Sequence, residues 1–88
     1  MSLEYADIDS LIRSNIAQIF ADHYPGTSVP VLDADTILLE SGMDSLGFAM
    51  LVSQLEEEFG FDPFTISDEA YYPRTFKEFV DFYDKHKI

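Results

Sequence analysis

Ser45 is the residue of this 88-residue chain whose neighbours best fit a chemical role; it stands in Gly42-Met43-Asp44-Ser45-Leu46-Gly47. A serine becomes a nucleophile when a base lies in reach, and in hydrolase elbows glycines two residues to either side mark a strand-to-helix turn. Here the first glycine lies three residues back and no strand signal precedes it, so the elbow is rejected. The two histidines, His23 and His86, fall at the end of one predicted helix and third from the C-terminus. Both positions suit solvated side chains near the negative end of a helix dipole. No general base accompanies Ser45 in the sequence, and catalysis by the chain itself is not expected.

The acidic clusters lead no further. Asp33, Asp35 and Asp44 stand at the first, third and twelfth positions of a calcium-loop pattern, but Ile37 and Leu38 occupy the fifth and the sixth, where the turn needs glycine. No dedicated metal site is expected. Glu56-Glu57-Glu58 reads as a solvated helix face, and no glycine-rich phosphate loop is present. Cysteine is absent, which excludes disulfides, thiolate catalysis and cysteine-ligated metals. What remains is a small hydroxyl at the start of an amphipathic helix. Free amides and the dipole at such a start stabilise a phosphoryl group, so Ser45 suits a phosphodiester; the competing reading is an ordinary residue of a capping region.

The elements that would position Ser45 are helical. Apolar residues recur at three- and four-residue steps from about Leu3 to Tyr24 (Ile8, Leu11, Ile12, Ile16, Ile19, Phe20), and Pro25-Gly26 end that helix. A long loop, 25–43, follows; its Val31, Leu32, Ile37, Leu38 and Leu39 predict that it is packed down. The second helix begins at Asp44-Ser45 with Asp44 as N-cap, presents Phe48, Leu51, Val52, Leu55 and Phe59 on one face, and stops at Gly60. A short third helix is expected from about Ile66 to Tyr72, capped by Ser67 and stopped before Pro73. Thr75-Phe76-Lys77-Glu78 is a capping box opening the fourth, with Phe76, Phe79, Val80 and Tyr83 as its apolar face. Strand signals are weak, so the expected fold is all-α: a small four-helix bundle with a long loop between helices 1 and 2.

Composition fits one domain over 1–88, with a core of about 4–86. The chain is 47% hydrophobic, too apolar for a disordered class. Its longest apolar runs are far short of the roughly 20 residues of a membrane span, and its N-terminus lacks a signal-peptide pattern, so a cytoplasmic monomer is expected. Five basic residues against 17 acidic ones leave −12, with no Lys or Arg between Arg13 and Arg74. Such a surface repels nucleic acid and anionic membranes, while basic protein partners or divalent cations are attracted.

The segment Leu39-Glu40-Ser41-Gly42-Met43-Asp44-Ser45-Leu46, followed by Leu51-Val52 and Gln54-Leu55-Glu56-Glu57-Glu58-Phe59-Gly60, resembles the acyl carrier proteins and their peptidyl and aminoacyl carrier relatives. The similarity runs from about residue 4 to 86. Asp-Ser-Leu alone recurs by chance; its place at the head of an acidic amphipathic helix, after a long loop, is specific. The resemblance implies a bundle of acyl-carrier type and a 4′-phosphopantetheine arm on Ser45, delivered from coenzyme A by a phosphopantetheinyl transferase and loaded by an acyl or aminoacyl ligase for downstream transferases. The arm's thiol would supply the sulfur that the chain lacks. Asp44 matches the acidic residue that helps hold magnesium in the transferase complex, and Leu46 matches a recognition position. The chain would be a carrier and not an enzyme.

Departures from the common fatty-acid pattern bear on partners. Gly47 and Met50 stand where those carriers often have acids, whereas Glu56 and Glu57 are kept. These four residues are expected to face partners, with a stripe less charged near the arm, which points to a specialised biosynthetic pathway. The alternative is an unmodified helical interaction module with the carrier fold. Phe48, one turn beyond Ser45, is placed to block a channel for long acyl chains.

Overall fold

The computed structural model describes residues 3–67 and 72–87. Four helices account for its regular structure: α1 (Tyr5–His23), α2 (Ser45–Phe59), α3 (Pro63–Ile66) and α4 (Phe76–Lys85), with a 3₁₀ turn at Leu38–Glu40. No strand forms among the described residues; one isolated antiparallel bridge pairs Ile37 with Thr75. This is the all-α bundle with a long first connection that the periodicity predicts.

In α1, Ile8, Ile12, Ile16, Ile19 and Phe20 are buried. Four of these are β-branched and favour helix only weakly, so the helix is held by the apolar stripe it buries rather than by local propensity. α1 packs against both α2 and α4. The core between them adds Leu51 and Leu55 of α2 with Phe76, Phe79, Val80 and Tyr83 of α4. Phe48, Phe59, Phe61, Phe64 and Phe82 extend it into a continuous aromatic cluster, with ring centroids 4.9 Å apart for Phe79–Tyr83 and 5.0 Å for Phe64–Phe82. Within it the Tyr83 hydroxyl is buried without a hydrogen-bond partner among the described residues, and that burial raises its pKa.

The loop is packed down as expected. Leu32, Leu38 and Met43 are buried in the core. Its backbone is tied to the entry of α4: Phe76 N–H donates to Thr36 O (2.7 Å), Lys77 N–H to Ala34 O (3.1 Å) and Leu38 N–H to Arg74 O (3.1 Å). These bonds satisfy polar groups that a connection of this length would otherwise leave to solvent.

Helix ends follow the sequence closely. Asp44 caps α2, and Gly60 closes it in the left-handed conformation at φ +82°. Thr75 and Glu78 form the expected reciprocal box on α4. The third helix differs. It spans Pro63–Ile66, and Ser67, expected to cap its start, instead follows its end in an extended conformation. The physical reason is the Asp62-Pro63 pair: Asp62 accepts from Phe64 N–H at 2.9 Å, while proline suits the first helical position because it has no N–H to satisfy and its φ is preset. The remainder of the expected segment, 68–71, lies outside the described residues. Among those residues, no helix is long and apolar enough to cross a membrane.

Candidate functional site

The site is assembled where the end of α1, the end of the loop and the start of α2 meet. Phe20, only 1% exposed, anchors it from the core. Tyr24, the C-cap of α1, lays its ring on Phe20 with centroids 5.1 Å apart. Met43 is buried beneath the first turn of α2. Gly42 turns the chain into that position at φ +109°, a conformation that side chains disfavour.

Asp44 then does two things with one oxygen. Its Oδ1 accepts from Gly47 N–H at 3.0 Å, which caps the helix, and from the Tyr24 hydroxyl at 2.6 Å. The Asp44 N–H in turn points at the Tyr24 oxygen at 3.4 Å. The Tyr24 hydroxyl, and after it the Gly47 amide, hold the Asp44 carboxyl below its ordinary range. The carboxylate reciprocally pushes the Tyr24 phenol up.

Ser45 is the first residue of α2 and is exposed. Among the described residues its hydroxyl has no hydrogen-bond partner. The helix start itself favours an attached anion: α2 runs 15 residues and carries no acidic residue in its first turn. Leu46, beside the serine, is 67% exposed.

Two expected partner-facing residues are turned wholly or partly inward. Gly47 is buried, and Met50 is half-buried against the core. The spacing explains it: Gly47, Leu51 and Leu55 recur every four residues, so glycine lies one turn below the core leucines rather than on the outer face. A Cβ on Gly47 would collide with the Tyr24 hydroxyl and come within 2.6 Å of Met43 Cγ. The outer face of α2 is formed instead by Leu46, Ala49, Ser53, Glu56 and Glu57, all exposed. Glu56 and Glu57 are exposed, a little over three turns from Ser45 (~3.6 residues per turn). Tyr24 is the residue that sequence reasoning missed. No local pattern links a tyrosine before Pro-Gly to a carboxylate 20 positions on.

Phe48 is half-buried, edge-on to Phe79 at 5.6 Å, and lines a groove of about 280 Å³ with Leu38, Leu39, Pro73 and Arg74. Among the described residues, no three His, Asp or Glu side chains are gathered as a metal site; Asp33, Asp35 and Asp44 do not come together.

No curated protein and no solved structure gives a significant match to the chain. Residues 16–72, well over half of the sequence and containing every element of this site, match the family described as the phosphopantetheine attachment site. With an exposed, unpartnered serine at a capped helix start inside the matched span, the chain belongs to the phosphopantetheine attachment site family, and its cofactor is 4′-phosphopantetheine.

Proposed function

We propose that this protein carries acyl or aminoacyl intermediates as thioesters on a 4′-phosphopantetheine arm attached to Ser45, in a specialised biosynthetic pathway rather than bulk fatty-acid synthesis. The observation that carries the reading is the Ser45 hydroxyl: exposed and unpartnered among the described residues, at the first position of α2 within the matched segment. When attached, the arm supplies the thiol that a chain without cysteine lacks.

The chain's own contribution is presentation. The start of α2 favours the negative phosphodiester, and Asp44 and Leu46 flank it as the contacts a transferase reads. The core holds the first turn in place through Met43 and through Tyr24 on Phe20. The protein is a carrier and not an enzyme, since its serine has no base of its own. Its partners are a phosphopantetheinyl transferase, a loading ligase and downstream transferases, met by a cytoplasmic monomer.

The specialised pathway rests on the outer face of α2. Leu46, Ala49 and Ser53 carry no charge, and carboxylates begin only at Glu56. An uncharged stripe beside the arm favours partners that read shape and apolar contact over partners that read charge. The test is an intact mass after incubation with coenzyme A and a broad-specificity transferase. A gain of one phosphopantetheinyl group, mapped to the Ser45 peptide, is expected. No gain would favour an unmodified interaction module, and a gain on another residue would overturn the assignment of Ser45.

A further inference from the structure

We infer that Arg74 makes the groove beside Phe48 a specificity site for cargo ending in a carboxylate: a short dicarboxylic acyl group, joined to the arm at one end and held by the guanidinium at the other. The inference rests on the reading of Ser45 as the attachment point and names a class of cargo for it. The groove, about 280 Å³, is walled by Ile37, Leu38, Leu39, Phe48 and Pro73. Phe48 lies three residues beyond Ser45 on α2, a little under one helical turn. Two charged residues, Glu40 and Arg74, also line the groove.

The two are not equivalent. With 17 acidic residues against five basic ones, most carboxylates must go without a basic partner, and an unpaired Glu40 is the ordinary case. An unpaired arginine is not. Among the described residues Arg13 pairs with Asp9, Lys77 with Asp81 and Lys87 with Asp84, whereas the Arg74 guanidinium has no hydrogen bond or ion pair. Lys85 is also unpaired there, but it stands in the last turn of α4, where a cation suits the helix dipole. Arg74 precedes the start of α4, the end that disfavours a cation. Its backbone is held on both sides: the N–H donates to Glu78 Oε1 at 3.2 Å, and the carbonyl accepts from Leu38 N–H at 3.1 Å. The side chain therefore starts from a fixed point in the groove wall.

A guanidinium presents a planar fork of N–H donors that matches a carboxylate in two parallel hydrogen bonds. Over the rest of this surface a cargo carboxylate meets net negative charge. Beside Phe48 it meets a cation, with apolar walls for the methylenes between its two ends. Arg74 is exposed, so a cargo held there stays at the mouth of the groove and does not enter the core. An ammonium-bearing cargo is the opposite case: carboxylates attract it over the whole surface, and Arg74 repels it from the groove.

The experiment loads Ser45 with arms ending in a succinyl or a succinamoyl group, joined through an amide that resists hydrolysis; the two have the same length and differ in one charge. The succinyl form is expected to melt about 2–4 °C above the succinamoyl form at low ionic strength, the order of one exposed charge pair in a domain of this size. The difference should fade at about 0.5 M salt. The Arg74 Nε–H resonance should move in the succinyl form and stay in place in the succinamoyl form. Arg74→Gln should abolish the melting difference, and Glu40→Gln, which removes the like charge, should enlarge it. If Arg74→Gln does not fold by circular dichroism, the resonance and Glu40→Gln decide the matter. Equal melting and an unmoved resonance, with the arm on Ser45, overturn the groove site alone. An equal rise from both arms, relative to an arm without cargo, overturns the preference for a carboxylate. An unmutated protein that takes no arm on Ser45 overturns both readings.

Discussion

Tyr24 and Asp44, 20 residues apart, are joined by a hydrogen bond of 2.6 Å, and through it the last residue before the loop fastens the first turn of α2. The long connection between α1 and α2 thus begins and ends at one point. Whatever freedom the loop has, the residue preceding Ser45 is referenced to α1.

Ser45→Ala is expected to remain folded and to take no arm. Its cost to stability should be about 1 kcal/mol or less, because the cap of α2 belongs to Asp44 and Ser45 makes no hydrogen bond among the described residues. Thermal unfolding gives the first result and peptide mass spectrometry after the transferase reaction the second. Persistent modification of the variant would refute the attachment point.

Acid should loosen this junction in a defined direction. The Asp44 carboxyl is held below its ordinary value of 3.8 by Tyr24 and Gly47. A group whose folded pKa is depressed contributes stability that is present above the unfolded value and lost as pH falls through the folded one. The thermal midpoint of the native protein should exceed that of Asp44→Asn at about pH 6, and the gap should close as pH falls below the ordinary carboxyl value of 3.8 and through the lowered folded one. A gap that stays constant across this range would mean that the charge of Asp44 contributes nothing.

Gly47→Ala sets propensity against packing. In an open helix interior the change would stabilise by roughly 0.5–1 kcal/mol. Here the added methyl group meets Tyr24 and Met43, and a net loss of about 1–3 kcal/mol is expected, the range of overpacking. In a Tyr24→Phe background one obstacle is gone and the loss should shrink. A double-mutant cycle in denaturant measures that coupling, and additive effects would contradict it.

Cargo length is the fourth test. Phe48 stands in the groove wall, braced edge-on against Phe79, and opening a cavity against such packing costs several kcal/mol. Short or polar cargo is therefore expected to remain largely in solvent. Octanoyl loading should raise the thermal midpoint little over acetyl in the native protein and more in Phe48→Ala. A large octanoyl-dependent rise without the mutation would show that the groove accepts long chains.

Much of this was legible because it is local. Asp44 before Ser45, Gly60 after Phe59 and Thr75 with Glu78 each act within a few residues, and the α1 and α4 stripes repeat often enough to fix their buried faces. Asp62-Pro63 is an equally local start signal, and it competes with Ser67 as a cap; the structure uses Asp62. The inward position of Gly47 was available from its four-residue step to Leu51; reading 47 and 50 as a surface pair ignored that step. The pairing of Tyr24 with Asp44 was not available at all. It depends on how the loop returns the chain, which no short-range periodicity encodes.

The three backbone bonds from Ala34, Thr36 and Leu38 to residues 74–77 mean that the loop and the first turn of α4 cannot open independently. Freeing either exposes the other's amides, so they should behave as one cooperative unit in native-state exchange. Leu38 and Arg74 also share the groove beside Phe48, and breathing of that unit would alter the groove's width. A fold built this way couples the accessibility of the groove beside Phe48 to the fraying of a helix on the far side of the sequence.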